Sequence, residues 1–136
     1  MGFVNEKIIL DTHDSVELIN IMEEVNRIIR DNDVVNGLVN ISTMHTTSGI
    51  VINEDESGLK RDMVKFFEAL VPYDDYCHDR IDNNARSHLK SLVTSQNQTL
   101  PVTDSKISLG TWQSVFFVEL DGPRNGRRIN ITIITE

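Results

Sequence analysis

Two patterns of hydrophobic and polar positions divide this chain into predicted strands and helices. Stretches rich in Val, Ile and Thr, bounded by turn residues such as Asn36 and Gly37, are typical of β-strands. The predicted strands are residues 3–10, 38–45, 49–54, 99–103, 106–109, 112–120 and 127–135. The last four strands are consecutive, and a segment dense in turn residues, 121–126, separates the final two.

Apolar residues at helical spacing predict a first helix. These residues are Val16, Ile19, Met22, Val25 and Ile29. Because they fall on one face of a helix, residues 15–30 are predicted to form an amphipathic helix. Asp14 or Ser15 offers a side-chain oxygen that could cap its N-terminus.

Two further helices follow from the same kind of pattern. The second is marked by apolar residues from Leu59 to Leu70 and should end before Pro72, because the residue before a proline avoids the helical region. A short third helix carries Ala85, His88 and two leucines on one face. Strands therefore outnumber helices, which predicts an α+β fold with largely antiparallel pairing and about three helices.

Composition narrows the classes of function. The chain has 136 residues, which predicts a single domain over residues 1–136. Its net charge is −8, and the short basic group around Arg124 is too small for a phosphate-backbone footprint, so a nucleic-acid partner is not expected. One cysteine, Cys77, no signal-peptide pattern and no apolar run of membrane-spanning length lead us to expect a cytoplasmic protein without a membrane partner.

The first candidate site begins at His45, where a predicted strand ends. Thr46, Thr47 and Ser48 follow directly, and three hydroxyls at a strand end can donate to a phosphate or instead satisfy nearby backbone groups. Glu54 closes the next strand. It is either a carboxylate facing solvent, or a general base or a group that orients an imidazole.

Two more histidines follow in the middle of the chain. His88 lies on the apolar face of the third predicted helix, where it is either a core histidine with a local partner or a metal ligand. His78 lies in the acidic segment 73–83. The spacing of the two matches no known zinc motif. Three neutral imidazoles with one open position would nonetheless have the composition of a catalytic zinc site.

Arginines flank the final turn. Arg124, Arg127 and Arg128 could pair across strands with Glu119 and Asp121, which would be a purely structural arrangement. Gathered near hydroxyls, they could equally bind a phosphate in a bidentate manner.

Four motifs in this chain resemble those of one family. They are residues 45–54 (HTTSGIVINE), His78 followed by residues 84–90 (NARSHLK), residues 109–113 (LGTWQ) and residues 119–124 (ELDGPR) continuing to Arg128. In this order they are similar to the motifs of the YjbQ family, which is also described as secondary thiamine-phosphate synthase.

The resemblance implies an α+β fold with mixed sheets, assembled as a trimer. It also implies a metal site made of His45, His78 and His88, and a weak thiamine-phosphate synthase activity. In that reaction a pyrimidine diphosphate loses diphosphate as the nitrogen of a thiazole phosphate attacks its methylene carbon. The family usually has glycines where this chain has residues 92–95 and 103–106, so both segments are expected to need special backbone angles.

Taken together, the motifs predict a metal-dependent enzyme that acts on a phosphorylated small molecule. The three histidines would hold a divalent ion, with zinc as the expected metal, and Glu54 would act as base or orient a ligand. The predicted phosphate contacts are Thr46, Thr47, Ser48, Arg124 and Arg128. Two alternatives remain: a metal-dependent hydrolase that uses the same site, and a non-enzymatic module that binds a metal or a phosphorylated metabolite.

Overall fold

The computed structural model describes residues 1–136, which form eight strands and three α-helices. The strands are β1 (Gly2–Leu10), β2 (Glu17–Asn20), β3 (Gly37–Thr43), β4 (Ser48–Asn53), β5 (Asn97–Thr103), β6 (Lys106–Ile107), β7 (Ser114–Glu119) and β8 (Arg127–Thr135). The helices are α1 (Met22–Asp31), α2 (Ser57–Leu70) and α3 (Ala85–Ser91), and Cys77–Arg80 form a short 3₁₀ helix.

The strands form two sheets. The larger sheet has five strands in the order β1-β8-β3-β5-β6, and the smaller has three in the order β2-β7-β4. Every pair of neighbouring strands is antiparallel. This confirms the predicted α+β class.

The main core lies between the two sheets and α1. Ile129, Ile131 and Ile133 of β8 point into it and are fully buried, together with Val25 of α1 and Phe117 of β7. A smaller cluster covers the other face of the three-stranded sheet, where α2 contributes Phe67. The middle strand β7 is thus covered on both faces, which explains its uninterrupted apolar sequence.

The predicted helix over residues 15–30 is wrong in its first part. Residues 17–20 form strand β2, which pairs with β7 from Glu17 opposite Glu119 to Asn20 opposite Phe116. Helix α1 begins only at Met22, and neither Asp14 nor Ser15 caps it. Instead, the side chain of Asn20 accepts a hydrogen bond from the N–H of Met22 at 2.9 Å. Pairing with β7 therefore overrides the helical spacing of the apolar residues.

The remaining elements lie close to their predicted positions. Helix α2 ends at Leu70 as expected, and the side chain of Glu56 caps it by accepting from the N–H of Leu59 at 3.0 Å. The β5–β6 turn has φ of 52° at Asp104 and 67° at Ser105, which confirms the need for special backbone angles there. Residues 92–95 show no positive φ, so the same expectation is wrong for that segment.

Candidate active site

A polar pocket of about 550 Å³ lies where the chain crosses between the two sheets. Two of these crossings border it, namely the loop after β3 that leads into β4 and the turn after β7 that leads into β8. The start of α3 and the residues before it close the pocket. Its walls are Met44, His45, Thr46, Thr47, Asp82, Asn84, His88, Asp121, Arg124, Asn125 and Arg127. Only Met44 is apolar, so the pocket suits a charged or strongly polar ligand.

A buried ion pair forms the floor of the pocket. The guanidinium of Arg127 donates to both carboxylate oxygens of Glu119, and one of these bonds has Nε 2.8 Å from Oε1. Arg127 also donates to the hydroxyl of Thr47 at 3.0 Å. The hydroxyl of Thr12 donates to Glu119 at 2.7 Å and accepts from the N–H of Arg124 at 2.9 Å. Both carboxylate oxygens of Glu119 are therefore hydrogen-bonded, and Arg127 is paired through Nε and one terminal nitrogen, as burial of the two charges requires.

Burial and hydrogen bonding have opposite effects on the pKa of Glu119. Burial by itself raises the pKa of this carboxyl, but the hydrogen bonds from Arg127 and Thr12, with that from the N–H of Asp121, lower it by more. The pKa of Glu119 therefore lies below its ordinary value, and the carboxylate stays charged.

A chain of hydrogen bonds runs along one wall. Arg124 donates to Oδ2 of Asp121 at 2.7 Å, and the side-chain amide of Asn84 donates to the same oxygen at 2.9 Å. Because the nitrogen of Asn84 faces this carboxylate, its oxygen faces His78, whose Nε2 lies 3.0 Å away. His78 must therefore donate through Nε2–H. Gly122, which follows Asp121, allows this turn to pack against the backbone of Asp14. A Cβ at this position would lie 2.1 Å from the carbonyl oxygen of Asp14.

The side chain of His45 also lines the pocket and contacts β8. Its Nε2 accepts a hydrogen bond from the backbone N–H of Arg128 at 2.9 Å. Burial lowers the pKa of His45 below its ordinary value, and the positive charges of Arg127 and Arg128 lower it further. The imidazole is therefore held neutral near pH 7.

The three histidines do not form one ligand set in this arrangement. The rings of His78 and His88 are adjacent, with centroids 4.7 Å apart and planes at 80°. His45 has Nε2 occupied by Arg128, and no group of three or more His, Cys, Asp or Glu side chains is arranged to hold a metal ion. The residues present therefore do not fit a three-histidine centre, and the predicted zinc site stays a prediction.

The other predicted site residues are divided between the pocket and the structure around it. Thr46 and Arg124 line the pocket with exposed side chains. Thr47 lines it too, but its hydroxyl is used by Arg127. Ser48 is fully buried, with its hydroxyl 2.6 Å from that of Thr43, so it stabilises the loop rather than facing a ligand.

Two predicted residues lie outside the pocket. Glu54 follows the far end of β4, roughly 20 Å from the start of that strand at about 3.3 Å per residue. Arg128 is exposed on the outer face of the five-stranded sheet, because successive residues of a strand point to opposite faces. Neither side chain lines the pocket in a single chain.

Sequence reasoning left Asn84 and Asp82 out of the site, and it considered Arg127 and Asp121 for charge pairing without placing them among the site residues. A signal for some of them was present. Arg127 is in phase with the buried isoleucines at 129, 131 and 133, whereas Arg128 is in phase with the polar residues at 130 and 132. That alternation indicates that Arg127 points inward. Asn84 and Asp121 belong to the motifs already singled out, but nothing in their spacing shows that they touch. Asp82 carries no such signal.

Comparison with known proteins supplies the family. The sequence profile described as UPF0047 protein YjbQ-like matches residues 6–136. The chain belongs to the YjbQ family. A UPF0047 protein of Methanothermobacter thermautotrophicus is 44% identical over 134 residues, covering 98% of this chain and 93% of the relative. One of Archaeoglobus fulgidus is 46% identical over 121 residues, covering 88% and 94%.

Solved structures from other organisms share the fold. A YbjQ-like protein of unknown function from Sulfolobus solfataricus P2 has a TM-score of 0.94 at 34% identity, with 99% of each chain covered. A hypothetical protein from Aeropyrum pernix K1 has a TM-score of 0.90 at 31% identity, with both chains fully covered. In this YjbQ-like chain no helix is long and apolar enough to cross a membrane.

Proposed function

We propose that this YjbQ-like protein is an enzyme that acts on a phosphorylated small molecule in the polar pocket. The observation that carries the proposal is the convergence of Arg124, the hydroxyl of Thr46 and the imidazoles of His45 and His88 around one cavity of about 550 Å³. A phosphate group prefers several donors and a nearby positive charge, and these residues supply both.

The carboxylates of the pocket add a second requirement for the ligand. Asp82 and Asp121 line the same cavity, and Asp121 already pairs with Arg124. A ligand that consisted of phosphate alone would lie close to these negative charges. A phosphorylated molecule that also carries a cationic ring or several N–H donors would satisfy both kinds of group.

A second cavity favours a reaction that joins two molecules. This cavity of about 480 Å³ adjoins the first and shares Thr46 and His88 with it, and Leu89 and Leu92 contribute to its walls. The thiamine-phosphate synthase reaction, which the family resemblance implies, joins a pyrimidine to a thiazole phosphate. Two adjoining compartments, one polar and one partly apolar, support the proposal that each holds one of the two heterocycles.

Inorganic phosphate is the simplest probe of the proposed site. We expect Arg124→Ala to weaken phosphate binding by about tenfold or more, the scale of one charged hydrogen bond. The matched control is Arg128→Ala, which removes an arginine four positions away that faces the outer surface of the sheet. A titration in which both variants, or neither, lose affinity would overturn the placement of the phosphate.

Turnover separates the proposed reaction from other uses of the pocket. The wild-type protein would be incubated with the pyrimidine diphosphate and the thiazole phosphate, and thiamine phosphate and released diphosphate would both be measured. Condensation is the expected result. Hydrolysis of a phosphate ester without condensation would indicate a hydrolase, and tight binding without any turnover would indicate a binding module.

We also propose that the protein assembles as a homotrimer, as the family resemblance implies. An apolar row crosses the outer face of the five-stranded sheet, where Phe3 lies opposite Ile134 and Ile134 lies opposite Leu38. All three side chains are exposed in the single chain, so association would remove apolar surface from water. A light-scattering mass equal to that of one chain at micromolar concentration would contradict the trimer.

A cytoplasmic location also stays a prediction. Cys77 is exposed and forms no disulfide, which is in keeping with a reducing compartment.

A further inference from the structure

The side chain of His45 occupies a position that a strand carbonyl would otherwise take. Strand β3 ends at Thr43, which lies opposite Ile129 of β8. One step further, the carbonyl oxygen of Arg128 still accepts from the backbone N–H of Met44 at 3.2 Å. The N–H of Arg128 on the same side of β8 has no backbone partner there. It donates to Nε2 of the imidazole at 2.9 Å instead.

This hydrogen bond decides which ring nitrogen carries the proton. An acceptor nitrogen must present a lone pair, so Nε2 of His45 carries no proton in this arrangement. A neutral imidazole has one N–H, which must then be on Nδ1. A doubly protonated ring would set N–H against N–H, so the contact also disfavours the charged form. The hydrogen bond from β8 thus fixes the tautomer through a backbone group that no side-chain substitution except proline removes.

The proton on Nδ1 is left for a ligand. No protein group accepts a hydrogen bond from Nδ1, whereas Nε2 is engaged, and the half-buried ring forms part of the pocket wall. Thr46, the next residue, adds an exposed hydroxyl to the same wall. Two adjacent residues therefore offer donors from one loop.

We propose that His45 is a neutral hydrogen-bond donor whose Nδ1–H contacts an oxyanion of the ligand, and that it is not a metal ligand in this state. The proposal rests on the proposed function, since it names the group that would contact the phosphate. It assigns His45 a role opposite to the one that the family resemblance implies. Both ring nitrogens are accounted for, and neither has a free lone pair for a metal.

The tautomer can be read directly. In protein with ¹⁵N-labelled histidine, two-bond correlation spectra near pH 7.5 distinguish a protonated Nδ1 from a protonated Nε2. We expect His45 to show the Nδ1–H form, and its Nδ1–H signal to shift when inorganic phosphate is added. The signal is assigned by its loss in His45→Asn. A proton on Nε2, or a phosphate titration that leaves the Nδ1–H signal unmoved, would overturn the proposal.

Two substitutions of the same residue test which nitrogen matters. The amide of asparagine lies near the position of Nδ1, whereas that of glutamine reaches the position of Nε2. We expect His45→Asn to retain most of the affinity for inorganic phosphate and His45→Gln to lose about tenfold or more. The reverse order would place the functional nitrogen at Nε2 and overturn the assignment.

The failures of the two proposals are distinguishable. Wild-type protein that binds no inorganic phosphate would overturn the proposed function, and with it the ligand assigned to Nδ1–H. Phosphate binding with the His45 proton on Nε2 would overturn only the role of His45.

Discussion

Arg127 and Glu119 form a buried ion pair that joins the two sheets. Arg127 is the first residue of β8 in the five-stranded sheet, and Glu119 is the last residue of β7 in the three-stranded sheet. Their side chains are 6% and 0% exposed. The pair lies directly beneath the polar pocket, so the same contact that connects the sheets also supports the residues that would meet a ligand.

Loss of this charge pair should destabilise the protein strongly. In Glu119→Gln, Arg127 remains buried beside a neutral amide, and we expect the free energy of unfolding to fall by about 3 kcal/mol, as when one partner of a buried pair is removed. Denaturant unfolding measures the change. The control is Asp55→Asn, which breaks the partly exposed Lys60 pair and should cost about 1 kcal/mol or less. Equal losses in the two variants would contradict the role assigned to the buried pair.

The same pair makes stability depend on acid pH. Because the pKa of Glu119 in the folded protein lies below its ordinary value of 4.5, the unfolded chain binds more protons in acid. The stabilisation is therefore present in full above about pH 4.5 and is lost as the pH falls through the folded pKa. We expect the difference in unfolding free energy between wild type and Glu119→Gln to shrink over that range. A difference that stays constant from pH 6 to pH 3 would show that the carboxylate does not titrate this way.

The β5–β6 turn offers a stabilising substitution. Ser105 has a φ of 67°, a conformation that glycine adopts without strain. We expect Ser105→Gly to raise the free energy of unfolding by about 0.5–1 kcal/mol, after the greater freedom of glycine in the unfolded chain is allowed for. The comparison variant is Ser108→Gly, at an exposed serine without a positive φ, which should lower stability. Thermal unfolding of both variants measures whether the positive φ at residue 105 lowers stability. A Ser105→Gly variant no more stable than wild type would contradict this.

Metal removal tests the three-histidine site. Because Nε2 of His45 accepts from the N–H of Arg128 and Nδ1 carries the ring proton, we expect treatment with a chelator to leave the affinity for inorganic phosphate unchanged. Metal analysis would be done on wild type, on His45→Gln and on His13→Gln, a control at an exposed histidine that does not line the pocket. A stoichiometric zinc ion that is present in wild type and in the His13 variant but absent from His45→Gln would establish the metal centre and refute the proposed tautomer.

Sequence patterns predicted the strands of this fold well, because alternation and β-branched residues report burial within one strand. They failed at residues 17–20, where pairing with β7 determines the structure and the local apolar spacing suggests a helix. The site was predicted only in part, because local patterns do not report contacts between distant residues. His45, His88 and Arg124 belong to recognisable motifs, but the contact between Asn84 and Asp121 joins residues 37 positions apart. No local pattern encodes such a contact.

Arg127 and Arg128 illustrate which features of the site the sequence shows and which it does not. The two residues are adjacent, and a shift of one position in a strand moves a side chain to the opposite face. The buried isoleucines of β8 fix the phase that points Arg127 inward, so the information was in the sequence. What the sequence does not show is that the N–H of Arg128, rather than its guanidinium, reaches His45.

The loop from β3 to β4 and the turn from β7 to β8 each carry the chain from one sheet to the other, and both border the pocket, which has a consequence for motion. A ligand that contacts the loop after β3 and the turn after β7 at once would oppose any movement of one sheet against the other. At a ligand concentration 100 times Kd, binding would add about 2.7 kcal/mol to the free energy of unfolding. Amide hydrogen exchange at Arg128 would slow more than exchange in α2, because its acceptor belongs to the opposite loop. The bound molecule would then restrain the two sheets relative to each other.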